Sequence, residues 1–537
     1  MAIAAAGCCL YSCADKSVQS TPETSRPNVI FIYADDLGKG MISAYGQQQF
    51  RTPTIDSLIS RGISYNNAYG CMLSAPARAS LLTGYHDCNT DKWKINNGGQ
   101  FLWCKDSTDI AEVEKSIDAE DIILFDNDLY LPEVFKKAGY VTAQVGKLEW
   151  GFTASHKQMR RHGWDYYYGY LDHVRCHGYY PPFLFDNGKM TFIEGNTRSD
   201  CGKTLENETP QTYADRWNMD GKNIYSQDLF TDKIIELLHQ YQDTTFFIYH
   251  PTQLPHGPVA IPKVHPSVAD NPNLTSLEKE YASMVIMIDE TVQIIWKELI
   301  ALGLEDNTII IFSADNGHEI YYSQTGRCEK PYRNMKTGEL FDDFNDKYYS
   351  ELSGDIFNGN AGMAGLKRSN LEGGIHIPLV FYWKNHLPEG ETRNDIVSNY
   401  DLLPTMAELL NIQLDSNKDG KSYLDNLFNN TPIDTAKCII VNSFYGPAVI
   451  MNNGWKLRYF KAADTYELYN LRDDPREEHN VITKFPAIAD TLQTCDPFGA
   501  LFVIEKCVVR QLTIDNHFQM NHIQTLSNFQ NLPSFYF

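Results

Sequence analysis

No apolar run in these 537 residues approaches the roughly 18–20 residues that a bilayer-spanning helix needs, so nothing in the sequence reads as a helical membrane span. Twelve cysteines are scattered without one CxxC pair. That excludes paired-cysteine metal sites and leaves buried thiols, with a few disulfides, as the expectation. Positive charge is scarce: 46 Lys and Arg face 68 Asp and Glu, for a net charge of −22. Phosphate backbones demand clustered basic groups, so nucleic acid is excluded as a partner. An anionic small substrate is not, because local charges govern a pocket once water is removed. Internal repeats and low-complexity blocks are absent as well.

What is present is alternation. Short β-branched or aromatic runs are followed by polar turns and then by stretches of helical period. Asn28–Tyr33, Tyr140–Val145, Thr245–Tyr249, Thr308–Ser313 and Ile377–Tyr382 read as buried strands. A helix is expected to start at Thr275, with Glu278 completing a capping box, and to stop at Gly303. The pattern predicts an α/β protein with a large, mostly parallel sheet flanked by helices, and the length allows more than one domain.

Each strand is followed by chemistry. Asp35-Asp36 follow the first, Gly146-Lys147 the second, His256 the third and Asp315-Asn316 the fourth, while Lys367 precedes the fifth. Ligands in open α/β sheets sit outside the carboxyl ends of the strands, so these signals converge on one sheet edge. Asp35, Asp36, Asp315 and Asn316 offer only hard oxygen donors. Gathered together they would repel one another unless a divalent cation sat among them, Ca²⁺ by preference and Mg²⁺ as the alternative.

The stretch CMLSAPARASLLTG (Cys71–Gly84) now acquires meaning. Ser74-Ala75-Pro76-Ala77-Arg78, followed by Leu82-Thr83-Gly84, resembles the (Cys or Ser)-x-Pro-x-Arg…Thr-Gly signature of the type I sulfatases, of the alkaline-phosphatase-like superfamily. The similarity runs from about Arg26 to about Asn480, and Ala77 stands where many members have Ser. The resemblance implies that a serine-type maturase oxidises Ser74 to Cα-formylglycine. Its hydrate attacks sulfur with one hydroxyl and expels sulfate through the other, avoiding the stable ester that serine would form. A helix beginning near Pro76 would put residue 74 at its positive end. Also by resemblance, Ser74 and the four oxygen-bearing residues ligate the metal, and Arg78 braces the nucleophile. Lys147 (VGKLEWG) and Lys367 (KRSNLEGG) bind the sulfate, and His256 (LPHGP) protonates the leaving oxygen. Two positions depart from the family: Glu149 stands where many members have a histidine, as base or as structural residue, and His376 replaces an arginine.

Leu171–Gly188 is dense in His, Arg and Tyr and suits a sugar; His177 is the first candidate contact, with His173, Arg175 and His318 behind it. Tyr321–Ala361 reads as a loop-rich insertion near the pocket. The division expected is residues 1–26 as lipoprotein signal remnant and tether, with Leu10-Tyr11-Ser12-Cys13 as lipobox and Cys13 lipidated. Residues 27–430 form the catalytic domain, 431–493 the smaller antiparallel subdomain the family implies, and 494–537 an unassigned tail. The resulting expectation is an exo-acting carbohydrate sulfatase on a sulfated saccharide, facing the periplasm or anchored at the cell surface. The sugar and the sulfate position stay open. A phosphodiester or phosphonate ester hydrolase and a silent glycan-binding lipoprotein are the alternatives.

Overall fold

The structure is a computed structural model that describes residues 26–89, 92, 128–149, 155–171, 175–197, 209–322, 347–414 and 417–494. The lipobox with Cys13, His173, most of the insertion and the tail from 495 lie outside the described residues. Four cysteines are described, Cys71, Cys88, Cys176 and Cys438, and all are free thiols. No helix among the described residues is long and apolar enough to cross a membrane.

Eleven strands form the main sheet. They are β1 (Asn28–Ala34), β2 (Ile63–Tyr69), β3 (Val141–Lys147), β4 (Tyr166–Tyr170), β5 (Phe183–Asp186), β6 (Lys189–Phe192), β7 (Phe246–Pro251), β8 (Thr308–Ala314), β9 (His376–Ile377), β10 (Leu379–Tyr382) and β11 (Glu391–Ser398). Their order is β11-β2-β10-β8-β1-β7-β3-β4-β5-β6, with β9 beside β2. From β8 to β4 the pairing is parallel throughout. β1, β7 and β8 are buried along their whole length, as strands covered on both faces by helices must be, and this is why they read as continuous apolar runs.

The expected strand Ile377–Tyr382 is two strands. Pro378 lacks an N–H and interrupts the ladder, so β9 pairs with β2 alone, while β10 runs antiparallel to both β2 and β8. An antiparallel strand starts where its neighbour ends. Residues ahead of β10 therefore lie at the carboxyl edge of β8.

The longest helix, Ser276–Ala301, starts as its sequence dictates. Thr275 Oγ1 accepts from Glu278 N at 3.3 Å, and Glu278 Oε2 accepts from Thr275 N at 2.7 Å. Thr275→Ala is expected to cost about 1 kcal/mol in a denaturant titration without affecting the site.

A second sheet follows, β12 (Cys438–Val441), β13 (Ala448–Met451), β14 (Trp455–Phe460) and β15 (Thr465–Asn470), antiparallel in sequence order. Lys456, in β14 and fully buried, pairs with Glu372 Oε1 at 2.9 Å and lies 2.9 Å from Glu477 Oε1. Glu477 Oε2 accepts from Glu372 N at 2.7 Å. This triad fastens the second sheet to the segment between Lys367 and β9.

Candidate functional site

Register brings the acidic pairs together. β1 and β8 run parallel with Ala34 opposite Ala314, so the residues that follow leave the sheet side by side. Asp315 N donates to Ala34 O at 3.1 Å, and Asp36 N donates to Asp315 Oδ1 at 2.9 Å. Asn316 Nδ2 donates to Asp36 Oδ1 at 2.8 Å. All four side chains are completely buried. Asp35 N is tied to Leu254 O at 2.9 Å, which joins the loop after β7 to the same point.

Residue 74 meets this cluster from a helix. The helix is Ser74–Thr83, two residues longer at its start than the proline suggested, and Pro76 sits in the first turn, where its missing N–H leaves no bond unmade. Gly84, at φ 75°, closes it in a left-handed conformation. Ser74 is the first helical residue and donates to Asp35 Oδ1 at 2.6 Å. One turn on, Arg78 is fully buried and sends Nη2 to Asp315 Oδ2 at 3.3 Å and to within 3.8 Å of Asp35 Oδ2.

Two ammonium groups and an imidazole complete the constellation. Lys147, the last residue of β3, places Nζ 2.5 Å from Asp35 Oδ2. Lys367 places Nζ 2.6 Å from Asp36 Oδ2 and 3.2 Å from His256 Nε2. His256 Nδ1 lies 2.6 Å from Gly257 O, an atom that can only accept, so Nδ1 carries a hydrogen and Nε2 faces Lys367 and, at 3.5 Å, Asp36.

Burial and charge pull these groups apart. Burial pushes the Asp35 carboxyl up, but Lys147, Arg78 and Lys367 outweigh it and hold the group below the usual range. Asp315 moves the other way, raised by burial and by the Asp35 charge. Burial lowers Lys367, whereas at Lys147 the neighbouring Asp35 overcomes the same effect. Three cations match three carboxylates in number, yet the lysines engage Asp35 and Asp36, and Asp315 is left with one guanidinium nitrogen. The demand for positive charge at Asp315 is unmet.

That demand suits a divalent cation. One ligand atom each from Asp35, Asp36 and His256 lie within 4.8 Å of one another. Asn316 Oδ1 is buried and accepts no hydrogen bond, although Nδ2 of the same amide donates twice. A buried amide oxygen without a donor, beside three carboxylates, is a hard-ion ligand set and fits Ca²⁺ or Mg²⁺ better than zinc.

The remaining sequence candidates fall in different places. His177 stacks on His256 with ring centroids 3.9 Å apart and planes 7° apart. Arg175 lays its guanidinium over Phe183, 4.3 Å from the ring centroid. His318 turns into the core, with Nε2 2.7 Å from the Tyr322 hydroxyl and its ring near Tyr281. Glu149 is fully buried, with Gln158 Nε2 at 3.1 Å, His162 Nδ1 at 2.7 Å and Trp164 Nε1 at 3.0 Å on its two oxygens. His376 bonds Glu372 Oε2 at 3.1 Å. Tyr321, which no motif flags, donates its hydroxyl to Asp36 Oδ2 and lies 3.3 Å from Lys367 Nζ.

Comparison with known proteins gives the family and the fold. The family model described as "Sulfatase" matches residues 27–412, and the model described as "N-sulphoglucosamine sulphohydrolase, C-terminal" matches residues 365–494. An N-acetylgalactosamine-6-O-sulfatase of Bacteroides thetaiotaomicron is 24% identical, over 90% of this chain and 95% of its own. The solved structure of Ps i-CgsB in complex with k-i-k-neocarrahexaose superposes with a TM-score of 0.65 at 22% identity, covering 87% of this chain and 91% of that one. The phosphonate monoester hydrolase of Agrobacterium radiobacter gives a TM-score of 0.53 at 17% identity, covering 88% and 95%. At those identities the two structures establish the shared fold.

Proposed function

The chain belongs to the sulfatase family, and on that premise we propose that it hydrolyses an O-sulfate ester of a glycan-derived sugar, with residue 74 as nucleophile. The observation that carries this reading is the meeting of the 35–36 and 315–316 pairs beside Ser74, with Lys147 and Lys367 against them. Asp35, Asp36, Asp315, Asn316 and residue 74 would hold a divalent cation, Ca²⁺ in preference to Mg²⁺. Oxidised to formylglycine, residue 74 supplies a hydrated aldehyde as nucleophile, and the cation supplies the charge that acidifies it.

The chain's own side chains do the rest. Lys147 and Lys367 each rest on a carboxylate oxygen at hydrogen-bonding distance and can present the same donors to sulfate oxygens. Two ammonium groups in a water-poor site offset the charge that builds as the S–O bond breaks. His256 carries a hydrogen on Nδ1, so Nε2 is the nitrogen that faces the site; it takes up a proton there and, as the imidazolium, delivers it to the departing sugar oxygen. Arg78 keeps the first turn of the nucleophile helix against Asp315. With three donors already on its oxygens, Glu149 serves as a strut between the end of β3 and the helix His156–Arg161 rather than as a base. The His177 ring, half-exposed and stacked on His256, is the first side chain an incoming sugar meets.

The similarity to a Bacteroides enzyme named for a 6-O-sulfated N-acetylgalactosamine supports a glycosaminoglycan-type sugar as substrate. A lipid anchor at Cys13, placement in the periplasm or at the cell surface, and a serine-type maturase belong to the same proposal.

Two measurements test it. With matured protein, an aryl sulfate should turn over at least about tenfold faster than the matching aryl phosphodiester, a difference of ~1.4 kcal/mol in transition-state binding. The reverse order would assign the chain to phosphodiester or phosphonate ester hydrolysis, the reading that the fold of the Agrobacterium enzyme favours. Mass spectrometry of the peptide carrying Ser74, from protein made with a serine-type maturase, should give the aldehyde mass. Unmodified serine alone would favour a silent glycan-binding protein.

A further inference from the structure

We propose that Tyr321 is a positioning residue that fixes both the metal-side carboxylate of Asp36 and the ring of His256. The inference rests on the function proposed above and adds a residue to it.

Three observations carry it. The Tyr321 hydroxyl donates to Asp36 Oδ2 and lies 3.3 Å from Lys367 Nζ, so one phenol ties a carboxylate to an ammonium. Its ring lies 4.9 Å from that of His256, tilted by 41°, while His177 stacks on the same imidazole. Parallel stacking on one ring and tilted contact with another restrict how His256 can turn, and the bond from Nδ1 to Gly257 O sets its remaining freedom.

The third observation concerns the backbone. A Cβ added at Gly257 would lie 2.2 Å from Tyr321 Cδ1, so only glycine beside the histidine admits the ring. The next residue anchors it: Tyr322 is fully buried and donates its hydroxyl to Asp355 Oδ1 at 2.8 Å, while His318 Nε2 reaches it from the other side. Tyr321 is thus held by neighbours with no part in the chemistry, and it transmits that rigidity to Asp36 and His256.

Outer groups that hydrogen-bond to a metal-ligating carboxylate set its direction, and losing one typically lowers metal affinity or activity about 10–100-fold. The phenol and the ring can be removed separately. Tyr321→Phe keeps the ring and deletes the bond to Asp36; Tyr321→Leu deletes both. Chelator-stripped full-length protein is titrated with CaCl₂ by calorimetry, and kcat and KM are then measured at saturating calcium.

The Phe variant is expected to bind calcium about 10–100-fold more weakly, with a smaller change in kcat, and the Leu variant to lose kcat in addition. Melting curves with and without CaCl₂ give a readout independent of turnover. The calcium-induced rise in melting temperature should shrink in both variants. Wild-type calcium binding shared unchanged by the Phe variant overturns the proposal while leaving the function intact. A Leu variant no slower than the Phe variant removes the role assigned to the ring. Wild-type protein that takes up neither Ca²⁺ nor Mg²⁺ overturns the metal reading and this inference with it.

Discussion

Ser74→Ala is expected to abolish sulfate-ester hydrolysis, with kcat/KM falling on the order of 10³-fold or more, as removal of a nucleophile does elsewhere. Ser74 Oγ is the one side-chain oxygen at the head of the helix Ser74–Thr83, and it points at Asp35 Oδ1, 2.6 Å away. Nothing adjacent can replace it: Ala75 and Pro76 carry no nucleophile, and Cys71 is a buried thiol that burial and Asp87 hold in its protonated form. The fold should survive. Asp35 keeps Lys147 and Arg78, so the lost bond costs about 1–3 kcal/mol at most. Steady-state assays beside calcium titrations separate the two effects, because the variant, short of one of five ligands, should bind the ion more weakly yet still bind it while failing to turn over. Wild-type activity in Ser74→Ala would falsify the nucleophile assignment outright.

Lys456→Met produces the largest expected loss of stability. Its ammonium lies between Glu372 and Glu477, with all three side chains buried. Burial raises the Glu372 carboxyl, but Lys456 and His376 outweigh it and bring it down to about 2. Glu477 is raised, by burial first and by the Glu372 charge. Methionine keeps the volume and removes the charge, so two carboxyl groups face each other across an apolar side chain. Breaking a buried ion pair this way costs about 3–5 kcal/mol. In a chain of this length that is a fall in melting temperature of roughly 3–5 °C.

Activity should fall with it. Glu372 heads the short turn whose glycines hold the metal-side loop: Gly317 N donates to Gly374 O at 2.8 Å, and His318 N to Gly373 O at 3.1 Å. Glu477→Gln in the Lys456→Met background should recover part of the stability, since one of the opposed carboxyl groups is gone. A double variant as unstable as the single one would mean that packing, not charge, dominates at Lys456.

How much of this the sequence discloses depends on distance along the chain. The acidic pairs were legible because each closes an apolar strand, and parallel strands deliver their carboxyl ends to one edge. The long helix was legible from four residues, Thr275 to Glu278, because a capping box is local. Tyr321 was not, being one of 32 tyrosines with no motif around its ring contacts. The Glu372–Lys456 pair spans 84 residues and obeys no spacing rule. Pro378 in the fifth strand was visible, but its consequence depends on β8 and β2 flanking it, which is tertiary information. His318 follows the Asp-Asn pair as a substrate contact would, yet the bonds of Gly317 and His318 to Gly374 and Gly373 turn its ring toward Tyr322.

Ser74 sits at 7% exposure in helical backbone, with its hydroxyl committed to Asp35. A catalyst acting on this hydroxyl has to reach it, and here Ser74 and the residues that follow it are helical and buried. If residue 74 is oxidised as proposed, the burial sets the timing: the reaction precedes closure of the sheet over the serine, and a serine missed then stays a serine. A preparation made with too little maturase should then be a permanent mixture of competent and inert molecules, which later incubation with the catalyst will not repair.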